Sequence, residues 1–295
     1  MNRFRSLSVA LLVCVTASAL GAADRPKVQV LEPESKNQKA AGRENAGLPV
    51  GSLAFASGLV ERSADGRKWS RLKAGDTIRT GDRIRTGVDG LARLRLPWMS
   101  VTTAPSSVVS FPAEVILATE LDSGRVEMHA QSGEIVKVRS AGVEVRGAGW
   151  VVIRRAAAAA GIQVMALEGS FRLLNEQGAS TLRAGTGTTV RASGPLDPPV
   201  NLPLPPGGLV PGGDPAYIRE GASVHLAWKA TAVAHHLQVL PLDTEEPVLV
   251  RDVGQPPVDL PLAMLGTYRW RVTARDADGY EGRPSADGLI CIVDH

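Results

Sequence analysis

The chain has 295 residues and a formal charge of +3, with 31 glycines, 20 prolines and only 4% aromatic residues. That length suits two domains, and the glycine and proline content suits short strands joined by tight turns rather than long helices. The weak charge, with no RRM, zinc-finger or helix-turn-helix pattern, argues against a nucleic-acid partner.

Residues 1–23 read as a secretory signal peptide. Arg3 and Arg5 form a basic start, and Leu7 to Leu20 is an apolar run of 14 residues, short for a bilayer span. Gly21, Ala22 and Ala23 supply the small residues for cleavage after Gly21 or Ala23. An uncleaved membrane anchor is the competing reading, while lipidation at Cys14 is disfavoured by the bulky Val13 before it. Cleavage predicts a periplasmic or secreted protein, exported by a Sec-type signal, with no transmembrane span left. Subtracting Arg3 and Arg5 from +3 leaves +1. Cys291 would then be the single thiol, so no internal disulfide is expected. Its neighbours Ile290, Ile292 and Val293 predict a buried, inert side chain.

Residues 24–47 are polar, show no apolar period, and read as a flexible spacer. Residues 48–193 form a first β block. Its clearest feature is a doubled hexapeptide, GDTIRT at 75–80 and GDRIRT at 81–86. In each unit Gly75-Asp76 or Gly81-Asp82 makes a turn, and Ile78 or Ile84 points inward. Leucine followed three residues later by glycine recurs at Leu72–Gly75, Leu121–Gly124 and Leu182–Gly185. Ala92, Leu94 and Leu96 alternate with Arg93 and Arg95, and Val136 and Val138 alternate with Lys137 and Arg139, as in half-buried strands. Short stacked strands with glycine turns predict a β-roll or solenoid-like sheet.

Residues 194–215 contain eight prolines between Pro195 and Pro215 and are expected to stay out of sheets as an extended linker. Residues 216–295 form a second β block. It has alternating strands at Val224-x-Leu226-x-Trp228, Leu237-x-Val239 and Tyr268-x-Trp270-x-Val272-x-Ala274. The predicted fold class is therefore all-β.

Two family resemblances follow. Trp69-x-x-Leu72-x-x-Gly75 and the run from Gly81 to Leu96, GDRIRTGVDGLARLRL, resemble the core motif of the FecR domain. The resemblance continues through Leu121-x-x-Gly124, Val143 to Gly147, Val164 to Gly169 and Leu182 to Gly185, covering roughly Gly51 to Ser193. It implies a β fold in the bacterial envelope. The chain departs from the family at Pro97-Trp98-Met99-Ser100, at Gly147-Ala148-Gly149-Trp150 and at the alanine run 156–160. The cytoplasmic sigma-binding segment of the family's regulators is not visible, so anti-sigma activity is not carried over. The second block resembles a fibronectin type III-like sandwich, an Ig-like fold. In that frame Trp228 lies on strand B and Tyr268 is the tyrosine corner, its hydroxyl bonded to nearby backbone.

Candidate chemistry is sparse. His235 and His236 would point to opposite faces of a strand, so they are poorly placed to share a metal. Asp276, Asp278 and Glu281 are the best calcium guess, although they lack the EF-hand spacing. Asp243 to Glu246 reads as a solvated acidic tip. Without a nucleophile elbow, zinc motif or P-loop, no enzyme and no cofactor is expected. Arg79, Arg83, Arg85, Arg93 and Arg95 read as a basic stripe, either an outer solvated face or a surface for an anionic envelope polymer or another envelope protein. Trp98 either joins that surface or folds back onto the core. Trp69, Trp150, Trp228 and Trp270 read as core. The expected function is a non-enzymatic envelope binding or scaffold protein. The alternative is a signal-transducing, anti-sigma-like regulator working with a membrane partner, as in iron-dicitrate regulation, and a hydrolase is a distant third.

Overall fold

The computed structural model describes residues 47–112, 119–130, 134–156, 161–244, 247–262 and 264–294. The segments read as a signal peptide and a spacer, up to residue 46 and with Cys14, together with alanines 157–160 and the acidic pair at 245–246, lie outside the described residues. Those described contain strands and no helix, and hence no helix long and apolar enough to cross a membrane. The protein is all-β, built of several sheets, none closed into a barrel.

The first block begins with β1 (Pro49–Ser57), β2 (Val60–Ser63), β3 (Ser70–Arg71), β4 (Thr77–Arg79) and β5 (Arg83–Thr86). Then come β6 (Leu91–Arg95), β7 (Met99–Thr103), β8 (Val108–Ser110), β9 (Thr119–Ala130) and β10 (Val136–Ser140). Long strands β11 (Val143–Arg155) and β12 (Gly161–Asn175) follow, then β13 (Gly178–Arg183), β14 (Thr186–Arg191) and β15 (Val200–Asn201).

These strands belong to one open, branched sheet. Its branch point is β9. The first half of β9 pairs with β8, which leads on to β5, β2 and β3. The second half pairs on one edge with β7, leading to β6, β1 and β4, and on the other with β11. Both branches turn apolar faces to one core, in which Ile78, Ile84, Leu94, Val101, Val109, Leu121 and Met128 are fully buried. Those residues sit at the inward positions that period-2 alternation marks. Burying side chains of this size stabilises by about 1.5–3 kcal/mol each.

The doubled hexapeptide builds two copies of one turn. In the first, Asp76 N–H donates to Lys73 O (3.0 Å) and Lys73 N–H donates to the Asp76 carboxylate (2.8 Å). In the second, Asp82 N–H donates to Arg79 O (3.1 Å) and Arg79 N–H donates to the Asp82 carboxylate (2.8 Å). Gly75 and Gly81 sit at φ +92° and +89°, where an L side chain is strained.

The second block contains β16 (Gly207–Val210), β17 (Ala216–Arg219), β18 (Ser223–Lys229), β19 (Ala234–Pro241) and β20 (Leu249–Val253). It closes with β21 (Val258–Pro261), β22 (Gly266–Arg275), β23 (Glu281–Pro284) and β24 (Gly288–Val293). One sheet runs β16-β18-β21 and the other β17-β24-β22-β19-β20. Between them lie Leu226, Trp228, Leu237, Leu260, Trp270, Val272 and Ile290. The Tyr268 hydroxyl donates to Met264 O at 3.0 Å, the backbone bond expected of a tyrosine corner.

The proline-rich segment is not free of sheets. Val200–Asn201 pairs with β14, and Gly207–Val210 pairs with β18. Proline lacks an N–H, but the pairing residues lie between the prolines, Pro199 and Pro203 in one case and Pro206 and Pro211 in the other. Leu202 is buried and donates its N–H to Gly185 O. The segment is fastened to both blocks rather than strung between them.

Candidate functional site

The five arginines do not form one row. Arg83 and Arg85 lie on β5 and Arg93 and Arg95 on β6, strands on different branches of the sheet. Arg79 spends its guanidinium on Gly47 O (2.9 Å). Arg83 meets Asp122 at 2.6 Å, and Arg85 meets Glu61 at 2.7 Å. Arg93 lines a cleft of about 150 Å³ whose far wall is Gln238, Pro247 and Arg271 of the second block, so its strand face is covered. Arg95 is exposed at the end of β6. Trp98 folds back against the first core, with its indole nitrogen buried and unpartnered.

Trp69, expected in the core, is half-exposed. The Arg85 guanidinium stacks over its ring at 4.1 Å. Cross-strand pairing sets Arg71, Glu61 and Arg85 side by side across β3, β2 and β5. The preceding loop is tied by Asp65, which accepts from the N–H groups of Lys68 (2.9 Å) and Arg67 (2.8 Å) and from Ser63 (3.0 Å). Those donors lower the Asp65 carboxyl to about 2. Arg67, Lys68, Arg71 and Lys73, within four residues of Trp69 in sequence, are exposed. A half-exposed indole under a guanidinium, on a segment with exposed basic residues, offers apolar area and positive charge, which suits contact with an acidic partner.

The second feature is the junction between the blocks. Val151, Val152 and Ile153 are all fully buried because β11 is covered on both faces. Val151 and Ile153 enter the first core. Val152 joins Met165, Leu167, Leu202 and Tyr280 in a separate cluster that spans first block, linker and second block, with Trp150 against it. Polar contacts surround it: Tyr280 with Thr189 at 2.9 Å, Arg283 to Leu167 O at 2.8 Å, and Gln163 to Asp278 O at 2.8 Å.

At the centre, Arg125 of β9 meets Glu281 of β23 at 2.7 Å, and the Arg125 and Glu281 side chains are only 15% and 2% exposed. Glu127 adds a second carboxylate at 3.4 Å and accepts the Trp150 indole N–H at 3.1 Å. Burial alone would raise the Glu281 carboxyl; the charge of Arg125, then of His236 and Arg275, outweighs it and holds it below the usual range. Burial likewise disfavours the charged Arg125, but Glu281 and Glu127 outweigh it and raise its affinity for the proton. Beside them Asp252 accepts from His236 (2.9 Å) and Arg275 (3.0 Å), and the His236 hydrogen bond leads in holding that carboxyl well below its usual value.

Several expectations are corrected here. Glu281 points at Arg125, and Asp276 spends its Oδ1 on the N–H groups of Asp278 (3.0 Å) and Tyr280 (2.9 Å), so the calcium trio does not converge. Among the described residues no group of three or more His, Cys, Asp or Glu is arranged to hold a metal ion. His235 and His236 do diverge: His235 stands edge-on to Trp228 and bonds Gly254 O, while His236 faces Asp252. Cys291 is only half-buried, its Sγ 3.6 Å from Thr267 Oγ1, because alternation on β24 sends Ile290 and Ile292 inward instead. Trp228 and Trp270 are core, whereas Trp150 lies in the junction.

No protein-family model matches the chain, and no curated protein sequence is similar to it. Among solved structures, two crystal structures of a candidate anti-sigma factor from Parabacteroides distasonis ATCC 8503, at 1.65 and 2.50 Å resolution, match with 16% identity and a TM-score of 0.35. The match covers 40% of this chain and 59% of the other, so the chain spans less than two thirds of that protein.

Proposed function

We propose that this is a non-enzymatic, FecR-type contact protein of the bacterial envelope, exported to the periplasm or beyond. It binds an acidic protein surface or an anionic envelope polymer through the Trp69 face. The observation that carries this reading is Arg85 stacked on a half-exposed Trp69 with Arg71 alongside. Arg85 and Arg71 are held in register by β2, β3 and β5, so less order has to be imposed on binding. The resemblance of the first block to FecR domains supports the location.

The test is cross-linking and pulldown from native envelopes, comparing wild type with Trp69→Ala/Arg71→Glu after circular dichroism has verified the fold. Loss of a captured partner or polymer supports the reading, and identical captured sets overturn it. A second reading is a signal-transducing regulator of anti-sigma type, the class in which the two matched crystal structures are described. It requires coupling across the inner membrane, through an uncleaved N-terminus or a membrane partner. A mature chain starting near Asp24, found by N-terminal sequencing, removes the first of those routes.

A further inference from the structure

The cleft of about 150 Å³ between the two blocks has walls whose side chains are set by strand pairing. Val101, Met128 and Val151 enter the first core, so Ser100 and Thr102, Glu127 and His129, and Trp150 leave their strands on the opposite face. Register puts Ser100, His129 and Trp150 in one row across β7, β9 and β11, with Thr102 beside Glu127 in the next. In the second block Leu237, Val239, Trp270 and Val272 are core, so Gln238 and Arg271, paired across β19 and β22, face outward. They lie over that strip. Both line this cleft, and both line a smaller gap whose other wall includes Glu127 and Trp150.

The aromatic part of this strip is fixed in place. Trp150 Nε1 donates to Glu127 at 3.1 Å, and the other oxygen of Glu127 faces Arg125 at 3.4 Å. The His129 ring stands 6.2 Å from the indole, tilted by 41°. Hydrogen-bonding capacity around it is unspent. Arg271 Nε donates to Gln238 Oε1 at 2.7 Å, which leaves the Arg271 Nη groups and the Gln238 amide N–H groups to spare. Among the described residues, the Ser100 and Thr102 hydroxyls and the His129 ring carry no hydrogen bond. Neutral donors and acceptors beside aromatic surface match a ring that is hydroxylated at its edge and apolar on its C–H face. A free volume of about 150 Å³ takes a single six-membered ring. We propose that this cleft binds one pyranose unit of a sugar or glycan, seated on Trp150 and His129 and held by Ser100, Thr102, Gln238 and Arg271. The bound ring bridges the two blocks. The cleft shares no residue with the Trp69 face, so either reading can fail alone.

The test is an NMR titration of the isotope-labelled full chain, read at the Trp150 indole N–H, a signal that Trp150→Phe identifies by its disappearance. Methyl glucoside and N-acetylglucosamine are the probes, and sorbitol, an open-chain polyol, is the control. At least one of the two pyranoses shifts the indole signal saturably, and sorbitol does not. Thr102→Val/His129→Ala, its fold verified by circular dichroism, binds that sugar at least about tenfold more weakly, the loss expected when two neutral hydrogen-bonding partners are removed. Preference for one probe over the other identifies whether the amide substituent is recognised. Should the double variant not fold, the contrast between pyranose and sorbitol in wild type decides. No saturable shift with either sugar, equal shifts with sorbitol, or unchanged affinity in the folded double variant overturns the proposal.

Discussion

Arg125 and Glu281 stand 156 residues apart in sequence and 2.7 Å apart in space, and their ion pair closes the junction between the two β blocks. A pair this buried is costly to break, because the remaining charge is left in the interior without a partner. Glu281→Ala is therefore expected to destabilise the chain by about 3–5 kcal/mol, measured by urea unfolding. An apolar replacement of both, Arg125→Met/Glu281→Leu, should recover most of that loss. A double variant as unstable as the single one would show that the charges themselves hold the junction.

The same junction sets a dependence on acid. Glu281 and Asp252 are both held below their ordinary values of 4.5 and 3.8. A depressed carboxyl contributes stability that is fully present above its unfolded value and is lost as pH falls through the folded value. Stability should thus decline below about pH 4.5 as these groups take up protons. Glu281→Gln should flatten that decline. Unfolding midpoints measured from neutral pH downward check it, and parallel curves for wild type and variant would refute it.

Asp82 runs the other way. Burial raises its carboxyl, against the Arg79 N–H and the charge of Arg62. A raised carboxyl favours the folded state while protonated, and this contribution disappears as pH rises through the folded value. Asp82→Asn keeps an acceptor for the Arg79 N–H and removes the buried charge. It should leave stability at neutral pH unchanged or raised, whereas Asp82→Ala, which orphans that N–H, should cost about 1 kcal/mol. Chemical denaturation of both variants at neutral pH distinguishes them.

The doubled turn makes a paired prediction. A Cβ at Gly75 or Gly81 would meet nothing within 4 Å, so only the positive φ opposes substitution. Gly75→Ala and Gly81→Ala should each cost about 1–2 kcal/mol, and by similar amounts. Gly169→Ala should cost more, because its Cβ would run into the carbonyl oxygen of Ala148. Equal losses at all three sites in thermal melts would contradict the distinction.

In the second block, Tyr268→Phe removes the hydroxyl that Met264 O accepts and nothing else. The expected loss is about 1 kcal/mol with the fold intact. A loss below a few tenths would mean that the corner bond contributes little beyond the packing of the ring.

Much of the fold was legible in the sequence because it is written locally. Alternation with a period of two placed Leu94, Val136 and Val138 inside, and the doubled hexapeptide placed Ile78 and Ile84 inside with turns at 75–76 and 81–82. The tyrosine corner followed from the second block's resemblance to a fibronectin type III-like sandwich. The candidate site was far less legible. Alternation says that Arg93, Arg125 and Glu127 leave one core, and it is silent on what lies over the face they join. One signal was present: unbroken apolar runs at 151–153 and 164–167 mark strands covered on both faces.

By itself, then, the sequence determined an all-β chain, its strands, its turns and its first-order core, since each depends on neighbours a few residues away. Only the tertiary structure decided which polar residues meet. It turned Glu281 from a calcium ligand into the partner of Arg125, moved Trp69 from the core to the surface under Arg85, and fastened a proline-rich segment into two sheets. Each of those outcomes depends on the covering of an outer face by chain more than a hundred residues away or on pairing across a strand, and neither leaves a mark in local periodicity.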